Sequence, residues 1–307
     1  MKKINITNNC NFHYEIIESI IVKYNFILKI ENEETNEIYL SIFNNVSYID
    51  YIKNKYPNII LIKPNNITEE ETKAYYYEVI DKKIDYDYVI DCTIYIEDLN
   101  NVQYNSNKYF YILHEFPDYI LPNNIYGLTP LCNSTNYIDA DILPFIGNKI
   151  NSNVPVYIIQ GGICYNRRNY ELLDKIINNT YTVDFIIKII GFKDCRYEYD
   201  IDTTKYEKNK NIIIKTNLNY IDYHREFLDG YCIIPLISKK THEHYYKNKL
   251  TSSINYGKAY GLKFLIDKDL QEIYNINNAE IYENESDIVK SFKLTIDEFY
   301  TKILHPK

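Results

Sequence analysis

Glycine is scarce in this chain: eight residues in 307, none of them before Gly127. Tryptophan is absent and methionine occurs once, whereas Ile, Asn, Lys and Tyr abound, the residue usage expected of an AT-rich genome. The 35 tyrosines therefore read as core and surface filler rather than as a carbohydrate platform. Six cysteines stand far apart with no Cys-x-x-Cys pair, which argues against a structural zinc and fits reduced thiols in the cytoplasm. Positive charge is also in deficit. With 34 Lys and Arg against 42 Asp and Glu the net charge is -8, and no basic stripe emerges, so a nucleic-acid partner is excluded. No apolar run approaches the roughly 18 residues of a membrane span, and the N-terminus turns polar within its first residues, so neither a transmembrane segment nor a secretory signal is expected.

What is present is an apolar fraction of 46% and a length sufficient for two domains. Short Ile, Val and Tyr runs alternate with helical patterns, the signature of an α/β protein with largely parallel sheets. In the first half the pattern predicts strands at Lys3–Thr7, Asn58–Ile62, Tyr88–Ile94, Tyr109–Leu113 and Ile142–Phe145, with helices at Phe12–Tyr24, Tyr48–Lys55 and Glu69–Lys82. The stretch from Phe26 to Ile42 holds two β-looking runs and allows a hairpin or two sheet strands. A polar, turn-prone break at Gly147–Asn153 sets the domain boundary, giving domains over 1–150 and 151–307. The second half repeats the rhythm. Strands are expected at Val156–Gln160, Phe185–Ile190, Asn211–Lys215, Tyr231–Leu236 and Lys263–Ile266, and helices at Tyr170–Asn178, Asp222–Leu228, Ser252–Tyr260 and Ser286–Ile303. Two Rossmann-like units facing a cleft are the economical arrangement.

Against so glycine-poor a background, the pair Gly161-Gly162 stands out. It closes the apolar run Val156–Gln160 and leads through Arg167 and Arg168 into a helix start at Asn169. Backbone N–H groups at such a turn and at a helix N-terminus suit a phosphate, and an arginine adds full charge. Lys249-Leu-Thr251-Ser252-Ser253 makes a second polar, basic helix entry.

The order of these elements resembles the nucleotide-sugar domain of GT-B fold glycosyltransferases, most of all the glycogen-synthase-like, family 4-like group. Its carriers are Gly161 to Asn169, Phe185 to Gly191, Tyr231 to Leu236 and Lys249 to Ile266; the first half matches only in strand rhythm and in Tyr111-Ile-Leu-His114-Glu115. The resemblance implies a metal-independent glycosyltransferase with no cofactor, whose donor is a UDP- or GDP-linked sugar and whose acceptor is a glycan, lipid or protein hydroxyl. The first domain would bind acceptor and the second donor, with the final helix returning to the first. Arg168 with Arg167 beside it, and Lys249, would clamp the diphosphate. His114 would contact the donor sugar, and Glu115 would serve as general base if the reaction inverts. The family's paired glutamates fall here on Asn248 and Tyr256, so ribose and sugar recognition would pass to Thr251, Ser252, Ser253, Asn255 and Tyr256 with the helix amides. A nucleotide-sugar epimerase on the same fold and a catalytically silent scaffold copy stay open.

Other signals carry less. Asp85-Tyr-Asp87, Asp139-Ala-Asp141, Asp200-Ile-Asp202 and Asp267-Lys-Asp269 read as loop and capping residues rather than metal ligands. His242-Glu-His244 lacks further ligands at zinc spacing and reads as a flexible, partly exposed loop. His13 reads as a helix-start residue.

Overall fold

The computed structural model describes residues 1–8, 14–31, 35–42, 46–62, 84–115, 117, 121–128, 131, 136–138, 147–192 and 201–304. The expected strand Ile142–Phe145 and helix Glu69–Lys82 lie outside them, as do His13, Asp139, Asp141, Cys10, Cys132 and Cys195. The chain divides into two compact units, Met1–Leu143 with Asn248–Leu250, and Pro144–Lys247 with Thr251–Lys307.

The first unit runs β1 (Lys3–Asn8), α1 (Tyr14–Leu28), β2 (Glu37–Ile42), α2 (Val46–Lys55), β3 (Ile60–Ile62), β4 (Tyr88–Ile94), β5 (Tyr109–Leu113) and β6 (Ile125–Gly127), with a 3₁₀ turn at Ile96–Asn101. Its sheet has the order β3-β2-β1-β4-β5-β6, parallel throughout. Among the described residues, the stretch Phe26–Ile42 holds one strand. Ile27 and Leu28 are buried as the end of α1, where burial outweighs the β preference of Ile27. Lys29 then takes a left-handed φ of 54° and Ile30 N donates to Asn25 O at 3.0 Å, a Schellman-type stop.

The second unit runs β7 (Val156–Gln160), α3 (Tyr170–Ile177), β8 (Ile186–Gly191), α4 (Thr204–Glu207), β9 (Ile212–Thr216), α5 (Tyr220–Arg225), β10 (Cys232–Ile233), α6 (His244–Lys247), α7 (Ser252–Ala259), β11 (Lys263–Asp267), α8 (Lys268–Ile273), β12 (Ala279–Tyr282) and α9 (Ile288–Leu304). Its sheet, again parallel, has the order β12-β11-β10-β7-β8-β9. Read from each unit's first strand, both sheets follow the doubly wound Rossmann order, which reverses direction between β1 and β4 and between β7 and β10. Apolar positions on α3 recur at helical spacing: Tyr170, Leu173 and Ile176 are buried against a core that includes Ile159, Ile189 and Phe292. The last helix, which the resemblance sends back to the first half, packs on β11, β12 and α3 of the second unit, with Phe292 4.3 Å from the Tyr157 ring.

β10 is shorter than the apolar run Tyr231–Leu236 suggests. Ile234 N still donates to Ile158 O at 2.8 Å, but Pro235 has no N–H to continue the ladder and Leu236 turns to a φ of 50°. The strands β6 and β12, and α4, α6 and α8, were not anticipated; β6, α4 and α6 are three or four residues long, below the length at which periodicity can be read.

Candidate functional site at the end of strand β7

All five residues of β7 are buried, and the chain leaves the sheet at Gly161 with a φ of +117°, a region open in practice only to glycine. Gly161 N donates to Ile190 O at 3.0 Å, which holds the turn against β8. Arg167 N and Arg168 N both donate to Cys164 O at 3.1 Å, and Asn169 caps α3 by accepting from Glu171 N at 3.2 Å. In a doubly wound sheet, ligands bind beyond the carboxyl ends of the strands where the strand order reverses, and β7 borders that reversal.

Arg168 is 3% exposed and its guanidinium is directed inward. Nε donates to Gln160 O at 2.9 Å, Nη2 to the same carbonyl and to Ser253 Oγ at 3.2 Å, and Nη1 to Arg167 O at 2.6 Å. Among the described residues no carboxylate is paired with it. A full charge kept out of water with only neutral acceptors around it is held at a cost that an anion would offset. The start of α7 is drawn to the same place, since Ser252 Oγ lies 3.2 Å from Gln160 Nε2 and Ser253 Oγ 3.0 Å from Gln160 Oε1. Thr251, the N-cap residue, is 1% exposed, and among the described residues its buried Oγ1 neither caps the helix nor meets another hydrogen-bond partner. The first amides of a helix have no partner within it, so α7 presents donors and the positive end of its dipole beside the Gly161-Gly162 turn.

Arg167 lies half-buried beside these groups, with Nη1 3.5 Å from Tyr245 Oη. His242, expected on a partly exposed loop, is 1% exposed: its Nδ1 pairs with Thr241 Oγ1 at 2.7 Å and its Nε2 with Tyr165 O at 3.2 Å. Burial, followed by the charges of Arg168, His244 and Arg167 and opposed by the bond to Tyr165, pushes its pKa from 6.5 down to about 4. The folded protein thus keeps a neutral imidazole that the unfolded chain protonates below pH 6.5. Stability should therefore fall as the pH drops from 6.5 towards 4, with His242 contributing at most about 3 kcal/mol of that loss. Denaturant unfolding across this range should show a shallower decline for His242→Asn than for the wild type.

The other residues singled out in the sequence fall in two places. Tyr256 is buried, its ring stacked on Phe227 with centroids 4.9 Å apart, so it belongs to the aromatic core and not to the turn. In the first unit, His114 follows β5, buried, with Nε2 3.0 Å from Cys92 O. Lys249 is grouped with that unit, not with Arg168. It forms an antiparallel bridge with Glu115 and its Nζ donates to Glu115 Oε2 at 3.0 Å. The ion pair engages the charge that the resemblance assigns to the diphosphate.

Three groups went unrecognised in the sequence. Gln160 is hidden inside an apolar strand, and Asn169 and Ser238 are joined only in space. Asn169 N donates to Leu236 O at 2.5 Å and Asn169 Nδ2 to Ser238 Oγ at 3.4 Å, tying the loop after β10 to the glycine turn. Asp267 caps α8 by accepting from Leu270 N, and Asp202 accepts from Thr204 N at the start of α4. Among the described residues, no group of three or more His, Cys, Asp or Glu is placed to hold a metal ion, and no helix is long and apolar enough to cross a membrane. Cys92, Cys164 and Cys232 are buried.

No protein-family model matches the sequence, and no curated protein matches it. Solved structures do match. AviGT4, a glycosyltransferase involved in avilamycin A biosynthesis, aligns with a TM-score of 0.54 at 8% identity, covering 100% of this chain and 99% of its own. Sucrose-phosphate synthase from Thermosynechococcus elongatus aligns with a TM-score of 0.52 at 9% identity over 97% of this chain and 90% of its own. MnaA from S. aureus, solved with UDP, aligns with a TM-score of 0.50 at 13% identity over 98% of this chain and 89% of its own. Two six-stranded parallel sheets of like order, matched along nearly the whole chain by such structures, identify the architecture as the GT-B fold of glycosyltransferases, built from two Rossmann-like domains.

Proposed function

We propose that this chain is a metal-independent glycosyltransferase that takes its sugar from a UDP- or GDP-linked donor and needs no cofactor. The observation that carries the reading is the Arg168 guanidinium, buried at the end of β7 with no acid partner among the described residues. The donor diphosphate would lie over the Gly161-Gly162 turn, against the α7 amides, Ser252 Oγ and Arg167. Thr251 and Ser253 shape that helix start from within. As the bond to the sugar breaks, negative charge builds on the leaving diphosphate, and fixed N–H donors and two arginines stabilise it without a metal. Further support comes from the fold itself and from a similar structure that holds UDP.

The first unit is assigned to the acceptor. Glu115 is the proposed base for the acceptor hydroxyl and Lys249 orients its carboxylate, a role that replaces the phosphate contact expected of this lysine. His114 stands beside it as a residue fixed by Cys92 O. The cytoplasm is the proposed compartment, supported by six widely spaced cysteines with no Cys-x-x-Cys pair.

A thermal-shift titration with UDP, GDP and CDP, each with and without EDTA, tests the reading. One of them should raise the midpoint by several degrees once its concentration reaches about 100 times Kd, a stabilisation of about 2.7 kcal/mol, and EDTA should leave the shift intact. No shift with any of the three would favour the scaffold alternative.

A further inference from the structure

Gln160 is 5% exposed and reaches from the end of β7 to the start of α7. The directions of its hydrogen bonds follow from Arg168, which can only donate. Ser253 Oγ accepts from Arg168 Nη2 at 3.2 Å, so the one Ser253 proton must go to an acceptor, either Gln160 Oε1 at 3.0 Å or Gln160 O at 3.3 Å. The backbone oxygen already receives the guanidinium, which leaves Oε1 as the better partner. With Oε1 turned to Ser253, the amide Nε2 faces Ser252 and donates to its Oγ at 3.2 Å; the reverse bond, from Ser252 to Oε1, would span 3.4 Å. A hydroxyl that accepts from Gln160 keeps its own proton for another partner. Ser252 is the first residue of α7 and only half-buried, at the end of the helix where an anion is favoured.

We infer that Gln160 is a positioning residue for the donor: by donating to Ser252 Oγ, it commits the Ser252 hydroxyl to donate to a phosphate oxygen. This rests on the donor reading above. A glutamate at position 160 has the same shape but, when ionised, only accepts. It would draw the Ser252 proton to itself, turn oxygen lone pairs towards the phosphate and add a negative charge. The same change gives Ser253 a stronger acceptor and leaves the backbone carbonyl that receives Arg168 in place, so the fold does not lose by it.

The test is calorimetric titration of UDP, GDP and CDP into the wild type and Gln160→Glu, with thermal midpoints measured alongside. The expected result is a midpoint at or above that of the wild type and an affinity lower by about tenfold or more. A Gln160→Glu protein that binds as the wild type does overturns the inference. Should that variant fail to fold, Gln160→Met, Ser252→Ala and their combination decide. If Gln160 acts through the Ser252 hydroxyl, methionine adds little once the hydroxyl is gone; effects that simply multiply overturn the inference. A wild type that binds none of the three nucleotides would instead remove the donor reading on which the inference stands.

Discussion

Arg168→Met should weaken binding of a nucleoside diphosphate by about tenfold to a hundredfold and move the thermal midpoint far less than removal of a buried, bonded arginine ordinarily does. Two large terms oppose each other in the unliganded protein. Methionine abandons the donors to Gln160 O, Arg167 O and Ser253 Oγ, which costs stability. It also removes a charge whose desolvation no carboxylate among the described residues repays, and that cost is several kcal/mol for an ion in a protein interior. With the guanidinium gone, the Ser253 hydroxyl can turn its proton from Gln160 Oε1 to Gln160 O, 3.3 Å away, so that carbonyl is not orphaned. For the anion nothing opposes the loss. Arg168→Lys, which keeps the charge without the fork, should recover part of the affinity, and the recovery should shrink as salt is raised. Calorimetric titration of both variants at low and high salt measures this, and an Arg168→Met protein with undiminished affinity would make the guanidinium a brace alone.

Gly161→Ala should be the most damaging of the conservative changes at this site, with a loss of about 3 to 5 kcal/mol in stability. Part of that is backbone strain, because a φ of +117° lies outside what an L side chain tolerates. The rest is displacement: the new Cβ would overlap Arg168 Nη2, and moving the guanidinium breaks its bonds to Gln160 O and Ser253 Oγ. Gly261 separates the two terms. Its φ of +62° is also left-handed, but nothing lies within 4 Å of a Cβ there, so Gly261→Ala should cost only about 1 kcal/mol. Denaturant unfolding of the two variants, read as a difference, sets an upper bound on the share due to Arg168, since the strain at +117° exceeds that at +62°. Equal losses would mean that the turn and the arginine are not coupled.

Much of the architecture is legible in the sequence because buried parallel strands leave continuous Ile and Val runs. Val156–Gln160 and Tyr88–Ile94 emerge with the bounds expected of them. The run at Tyr231 does not, since Pro235 and the left-handed Leu236 cut the ladder within an unbroken apolar stretch. The end of α1 is illegible for the opposite reason: Phe26 and Ile27 have β preferences, and it is the burial of Ile27 and Leu28 that tells that the helix continues. At the site, the glycine pair and the arginines announce themselves through rarity and charge. What the sequence could not give is direction. Arg168 points into the protein, Lys249 is taken by Glu115, and the ring of Tyr256 faces Phe227. Gln160 leaves no trace at all, since one glutamine at the end of an apolar run means nothing until Ser252 and Ser253 are brought beside it from the far end of the second half.

The central claim is that a nucleoside diphosphate is held at the end of β7, and a crystal structure of the protein grown with the nucleotide that shifts its melting tests it most directly. The account predicts phosphate oxygens at hydrogen-bond distance, about 3 Å, from Ser252 Oγ and the first amides of α7, beside the Gly161-Gly162 turn, with Arg168 still bonded to Gln160 O. A nucleotide bound elsewhere, with the start of α7 and the glycine turn untouched, would contradict it.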